Sequence, residues 1–240
     1  MLSDTEIENF QRDGCLQPAA TQLSGEVTRL LPELKMLMAS ASKPEKIWSA
    51  IDSNSDHLAP IYTLYDSHLT NSAVMQLVKA PELHQFAEQV LGEPVAVWRS
   101  TFWIKPPQAR RTEWHQDTFK EEGFGWFPNI NAWIAIDETD PENCLRFVAG
   151  SHQRQIDLSH FQQQSYVDSL RSTAQLPAPP YKNPETLIFN LNCGEYVLFD
   201  GRSLHGSPPN LTPNRRAGLA VRFIPASLSL PGFDGQLITC

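Results

Sequence analysis

The stretch that decides the fold begins at residue 94 and reads PVAVWRSTFWI through residue 104. β-Branched and aromatic residues dominate this stretch, and its only proline stands at the start, as is typical of a strand. Four further short β-rich runs follow, over residues 131–136, 145–148, 196–199 and 219–224, separated by clusters of Gly, Pro and Asn. This texture predicts antiparallel strands in a sandwich or barrel, a mainly β fold with its helices packed outside.

Residues 1–93 are predicted to be mostly helical, with helices over 3–13, 24–40 and 81–91. Ser3 followed by Glu6 is a capping-box pattern that opens the first helix. Pro32 should kink the second helix or split it. In the third helix His84 lies off the apolar face and is predicted to face solvent. We therefore predict one domain over residues 1–240, with a helical part over 1–93, a β core over 94–224 and an insertion or lid loop over 153–184.

The bulk composition excludes several classes of protein. The chain has 240 residues and a formal net charge of −8, and its 19 Lys and Arg residues are scattered. Nucleic-acid binding needs clustered cations, so we expect no nucleic-acid partner. No apolar run is long enough to cross a bilayer and the start lacks the layout of a signal peptide, so we expect a cytoplasmic protein without a membrane partner. The four cysteines are far apart, which predicts reduced thiols rather than a disulfide framework.

Residues 113–117, which read EWHQD, form the most informative pattern. Side chains alternate across a strand, so His115 and Asp117 should point the same way. An imidazole beside a carboxylate supplies two of the three ligands of a facial triad for non-haem iron. His205, which follows the predicted strand 196–199, is the natural third ligand. Alone the pattern is weak, because a chain with seven His and 27 acidic residues often contains such a pair on its surface by chance.

Arg216 gives this pattern a chemical context. The turn-rich stretch 206–214 should reverse the chain, so that His205 and Arg216 reach one inner face. A buried guanidinium there would bind the distal carboxylate of 2-oxoglutarate, whose other end chelates iron. The neighbouring Arg215 has the opposite strand parity and should point outward. The alternative for both arginines is a solvated pair at the start of a strand.

Five ordered motifs resemble those of the phytanoyl-CoA dioxygenase family of Fe(II)/2-oxoglutarate-dependent oxygenases. They are KPP at 105–107, WHQD at 114–117, NAWIAID at 131–137, CLRFVAGSH at 144–152, and HGS at 205–207 followed by Asn210 and Arg216. The resemblance covers about residues 94–224 and implies a double-stranded β-helix, that is, a jelly-roll or cupin-like core.

The resemblance also implies a role for each matching residue. The implied iron ligands are His115, Asp117 and His205. The residues implied for 2-oxoglutarate are Arg216, at the distal carboxylate, and Lys105, Trp133 and Ser207. Residue type alone is equally compatible with simpler roles, because Trp133 would serve as an ordinary core aromatic and Lys105 as a lone solvated charge.

The expected reaction is hydroxylation of a C–H bond of a small metabolite, with O2 consumed and succinate and CO2 released. A desaturase or epimerase would use the same ligands and co-substrate. A cupin-like metal isomerase or hydrolase would not use 2-oxoglutarate and would not need Arg216, and a non-catalytic β-sandwich module would bind no stoichiometric iron. Arg222 shares the parity of Arg216 and should point into the barrel unless a bulge intervenes. The sequence does not indicate which oligomeric state the protein has.

Overall fold

The computed structural model describes residues 1–19, 21, 23–40, 58–117, 126–156 and 186–228. Most of the predicted insertion at 153–184 therefore lies outside the described residues. Cys15, Cys144 and Cys193 are free thiols, as expected. No helix in the described ranges is both long and apolar enough to cross a membrane.

Four α-helices lie in the N-terminal part of the described chain: α1 (Asp4–Asp13), α2 (Leu23–Ser40), α3 (Ser72–Val78) and α4 (Pro81–Leu91). The capping box of α1 is present as predicted. The Ser3 hydroxyl accepts the Glu6 N–H at 3.3 Å, and the Glu6 carboxylate accepts the Ser3 N–H at 2.9 Å. The helix ends at Gly14, whose φ of 79° suits a residue without a side chain.

Of the two effects predicted for Pro32, a kink or a split, the split does not occur. Pro32 lies inside α2, which runs unbroken from Leu23 to Ser40. Val27, Leu30 and Leu34 on this helix are buried in the main hydrophobic core. Packing of this apolar face holds the helix together across the hydrogen bond that proline cannot make.

Ten strands in the described ranges form two antiparallel sheets. The larger sheet contains β1 (Cys15–Leu16), β2 (Tyr62–Tyr65), β3 (Val95–Lys105), β5 (Ile130–Ala135), β8 (Tyr196–Asp200) and β10 (Arg216–Pro225), in the order β1-β8-β5-β10-β3-β2. The smaller sheet contains β4 (Thr112–His115), β6 (Leu145–Val148), β7 (Thr186–Phe189) and β9 (His205–Ser207), in the order β4-β9-β6-β7. This architecture confirms the predicted mainly β, jelly-roll class.

The two faces of the larger sheet have different partners. Leu219 of β10 belongs to a core cluster that also contains residues of the four helices, such as Leu83. Ala220 of β10 and Trp133 of β5 belong to a second cluster, together with Phe147 of the smaller sheet. Since side chains alternate across a strand, the outer face of the larger sheet carries the helices and its inner face meets the smaller sheet.

His84 of α4 shows how broadly the helices pack on the outer face. Contrary to the prediction that it faces solvent, it is 3% exposed. Its Nε2 lies 3.0 Å from the Val78 carbonyl oxygen, and its ring meets the Phe223 ring edge-on at 5.0 Å. Burial lowers the pKa of His84, so the neutral imidazole is the form that the core accommodates.

Candidate active site

His115, Asp117 and His205 converge at the edge of the smaller sheet. His115 ends β4 and pairs with His205 at the start of β9, and their ring centroids lie 4.2 Å apart. Asp117 follows two residues beyond β4, where its N–H donates to the Gly201 carbonyl at 2.8 Å. His115 Nε2 and Asp117 Oδ1 are 3.6 Å apart, and one ligand atom from each of the three residues lies within 4.8 Å of the others. The structure therefore brings together the three predicted metal ligands.

His205 is held in the form that a metal ligand requires. Its Nδ1 lies 2.8 Å from the Ser203 carbonyl oxygen, which can only accept, so Nδ1 carries the hydrogen and Nε2 keeps its lone pair. Burial, with a smaller contribution from the neighbouring His115, lowers the pKa of His205 to about 3. The ring is therefore neutral near pH 7.

Asp117 is 8% exposed and is held in its ionised form. Burial alone would raise its pKa, but Arg222 and the two imidazoles act the other way, and the net pKa shift is downward. Its Oδ2 accepts from Arg222 Nη2 at 3.3 Å and from Asn131 Nδ2 at 3.4 Å. Two imidazoles and one ionised carboxylate form the donor set of a facial triad, which suits divalent iron and leaves three coordination positions open.

Gln116 points away from this cluster, as predicted, although β4 itself ends at His115. Its Nε2 donates to the carbonyls of Ser151, Arg154 and Arg202, at 3.2, 2.9 and 2.6 Å, and its Oε1 accepts the Ile156 N–H at 2.8 Å. The hydrogen bonds of this one side-chain amide therefore anchor the backbone between His115 and Asp117.

Arg216 lies on the inner face of the larger sheet and is 2% exposed. Its Nε and Nη2 have no hydrogen-bond partner among the described residues, and its guanidinium carbon lies 4.3 Å from the Trp133 ring centroid. Burial lowers its pKa to about 10, so the group is still charged near pH 7. A buried cation without a counter-ion is costly, which makes this site complementary to an anion.

Arg215 behaves as the outward-pointing neighbour. It forms a two-point ion pair with Asp137, at 2.7 and 2.9 Å, on the partly exposed side of the strand. The predicted assignment of Arg216 to the inner face and Arg215 to the outer face is therefore confirmed.

Lys105 is a second buried cation next to Arg216. The two residues are Cα partners in the β3–β10 register, and Lys105 is 1% exposed, so the alternative of a solvated charge is wrong. Its Nζ donates to Ser207 Oγ at 2.7 Å and to the Pro208 carbonyl at 2.8 Å. Lys105 thus contacts Ser207 and stands across the β3–β10 pair from Arg216, whose guanidinium lies over Trp133.

Arg222 keeps the inward parity of Arg216. The irregularity in the β3–β10 register comes after Arg222, between it and Phe223, so it does not turn the side chain outward. Parity indicated this orientation, but the contact of Arg222 with Asp117 could not be read from the sequence. The cross-strand pairing of Arg222 with Asn131 is the feature that brings both donors to the same carboxylate.

Comparison with known proteins agrees with this geometry. Residues 10–218 match the family model described as phytanoyl-CoA dioxygenase. An ectoine dioxygenase of Bordetella bronchiseptica is 24% identical over 236 residues, which cover 91% of this chain and 74% of that protein. A probable alpha-ketoglutarate-dependent hypophosphite dioxygenase of Stutzerimonas stutzeri is also 24% identical, over 84% of this chain and 71% of that protein.

Among solved structures, the non-heme alpha ketoglutarate dependent epimerase SnoN from nogalamycin biosynthesis has a similar fold. Its TM-score is 0.71 at 18% identity, and the match covers 98% of this chain and 92% of that one. The family match extends over most of the chain and includes the cluster of His115, Asp117 and His205 as well as Arg216. The chain therefore belongs to the phytanoyl-CoA dioxygenase family, the 2-oxoglutarate-dependent non-haem iron dioxygenases.

Proposed function

We propose that this enzyme hydroxylates a C–H bond of a small metabolite. The iron and 2-oxoglutarate, when bound, supply the oxidising chemistry, in which 2-oxoglutarate and O2 yield succinate and CO2 while one oxygen atom enters the substrate. In this proposal Fe(II) is bound by His115, Asp117 and His205. The expected partners are the small-molecule substrate and O2, and the cytoplasmic location and the lack of a nucleic-acid partner stay predictions.

The single observation that carries this proposal is the buried Arg216. Its charged guanidinium, stacked on Trp133, has two nitrogen atoms with no hydrogen-bond partner in the described part of the chain. A dicarboxylate that chelates the metal at one end would place its other carboxylate against such a group and offset the cost of burying the charge. In the same proposal, Lys105 and Ser207 stand beside that carboxylate.

Two other activities share parts of this site. A metal isomerase or hydrolase without an oxo-acid would leave Arg216 buried with no anion, so its burial favours a co-substrate with a distal carboxylate. An epimerase or desaturase would use the same residues, and SnoN, a protein named as an epimerase, has a similar fold. The product distinguishes these outcomes, because only hydroxylation adds an oxygen atom to the substrate.

The test is an anaerobic titration of Fe(II) and 2-oxoglutarate into the purified protein. Formation of the chelate gives a visible charge-transfer absorption band, and we expect this band in the wild type. Arg216→Gln should weaken 2-oxoglutarate binding by at least about a hundredfold, because a buried charged hydrogen-bonded pair is worth several kcal/mol. Succinate release during a screen of small metabolites would then identify the substrate.

The matched control is Arg215→Gln, which removes a guanidinium one residue away on the opposite face. We expect this variant to bind 2-oxoglutarate like the wild type, because its ion pair with Asp137 is partly exposed. A wild type without the band, or equal losses in the two variants, would contradict the proposed function.

A further inference from the structure

The two carboxylate oxygens of Asp117 have different surroundings. Oδ1 lies 3.6 Å from His115 Nε2 and so faces the cluster of ligands. Oδ2 faces the other way, where it accepts hydrogen bonds from Arg222 Nη2 at 3.3 Å and Asn131 Nδ2 at 3.4 Å. One oxygen is thus directed at the metal position and the other is occupied by protein donors.

Both donors to Oδ2 come from rigid positions. Arg222 and Asn131 are Cα partners on the adjacent strands β10 and β5, and they are 8% and 0% exposed. The Asn131 amide also donates to Asn129 Oδ1 at 3.1 Å, which fixes its orientation. The Asp117 carboxylate therefore accepts its hydrogen bonds from side chains of the larger sheet, whereas the two imidazoles belong to the smaller sheet.

We infer that Arg222 is a positioning residue that keeps Asp117 a one-oxygen ligand of the iron. This inference rests on the proposed function. A carboxylate oxygen engaged by a guanidinium is a poor second donor to a metal, because the same lone pairs cannot serve both. If Oδ2 were released it would turn toward the metal and occupy one of the three positions that the triad leaves open, in competition with 2-oxoglutarate.

The charge of Arg222 separates this role from simple support of the fold. A guanidinium beside a metal ligand offsets the charge of the carboxylate and repels a divalent cation, so it does not strengthen metal binding. Loss of Arg222 should therefore leave metal affinity intact or raise it, while 2-oxoglutarate affinity falls. Damage to the fold would weaken both affinities together.

The test compares wild type, Arg222→Met and Arg222→Lys under anaerobic conditions. Mn(II) and Fe(II) binding is measured by calorimetry without co-substrate, and 2-oxoglutarate binding to the Fe(II)-loaded protein by the charge-transfer band. We expect R222M to bind the metal within about threefold of wild type or more tightly, and 2-oxoglutarate at least about tenfold more weakly, because the released Oδ2 would compete for one of the open coordination positions. R222K, which restores one charged donor, should recover part of the loss.

Arg215→Met is the matched control, because it removes an arginine that contacts Asp137 outside the site, and it should change neither affinity. Parallel losses of metal and 2-oxoglutarate binding in R222M, or wild-type values for both, would overturn the inference. Should R222M not fold, Asn131→Ala removes the second donor to Oδ2, and unchanged 2-oxoglutarate affinity in that variant would overturn it as well. Failure of the proposed function is a distinct result, since the wild type itself would then form no chelate band.

Discussion

Gly218 packs against the Trp133 ring, over which the Arg216 guanidinium lies. It lies on the inner face of β10, between Arg216 and Ala220, and a Cβ added there would overlap the six-membered part of the Trp133 ring. In Gly218→Ala the ring would have to retreat by roughly 1.5 Å to reach ordinary van der Waals distance. We therefore expect this one methyl group to disturb the co-substrate site.

The size of the effect follows from one steric cost and one lost contact. Forcing an extra methyl group into a packed interior costs about 1–3 kcal/mol. The stacking of a buried guanidinium on an indole contributes up to about 2 kcal/mol. We expect the dissociation constant of 2-oxoglutarate to rise by about 10- to 100-fold, which corresponds to about 1.4–2.7 kcal/mol.

The assay is the anaerobic titration with 2-oxoglutarate, together with calorimetric metal binding. Metal affinity should change little, because Gly218 lies four residues, or about 13 Å along the strand, from Arg222, which contacts Asp117. Gly25→Ala is the matched control, since a Cβ there meets no atom within 4 Å. It should leave 2-oxoglutarate affinity unchanged and raise the free energy of unfolding by up to about 1 kcal/mol.

A double-mutant cycle identifies the route of the effect. If the methyl group acts by displacing Trp133, then adding G218A to a Trp133→Ala protein should weaken 2-oxoglutarate binding little further. Wild-type affinity in the single G218A variant, or fully additive losses in the double variant, would refute the reasoning.

Three further predictions concern charge, metal and pH. Lys105→Met should weaken 2-oxoglutarate binding by about tenfold, and it should lower the free energy of unfolding by about 1–3 kcal/mol because Ser207 Oγ and the Pro208 carbonyl lose their buried donor. An unchanged affinity would remove Lys105 from the site. Removal of metal with a chelator should lower the thermal midpoint, because metal at a hundred times its dissociation constant stabilises the fold by about 2.7 kcal/mol, and a metal-dependent shift that survives in Asp117→Ala would contradict the assigned ligands. Burial lowers the pKa of His84, so below about pH 6.5 the unfolded chain takes up a proton at this residue and the folded chain does not. The metal-free protein should therefore lose stability as the pH falls below that value, by up to about 1.4 kcal/mol per pH unit for His84. In urea denaturation at pH 7 and pH 5, His84→Gln should lose less stability between the two pH values than the wild type does.

Local sequence signals predicted the elements whose causes are local. The capping box of α1 and the proline-to-glycine frame of α4 give those helices within a residue or two. Strand β6 matches its predicted bounds, because an apolar run flanked by turn residues needs no distant information. The H-x-D pattern also predicted that His115 and Asp117 lie together, although β4 ends at His115 and the Asp117 backbone is held instead by its hydrogen bond to the Gly201 carbonyl.

Features that depend on distant pairing were not predictable. Strand β2 is short and largely half-buried, and it forms only because β3 offers it an edge. The short strand β1 depends in the same way on β8. The burial of Lys105 follows from its register with Arg216, and the contact of Arg222 with Asp117 depends on where the sheets face each other. None of these relationships is carried by the spacing of residues along the chain.

The imidazoles of His115 and His205 belong to one layer of the sandwich and the guanidinium of Arg216 to the other. A dicarboxylate held at both ends would therefore span the two layers, and the distance between the layers would limit its length. Trp133 and Phe147, which pack between the two layers, would then help to set that distance. Selection of a five-carbon oxo-diacid over a shorter or longer homologue would then be a property of interior packing, and reshaping those two side chains would be the way to change it.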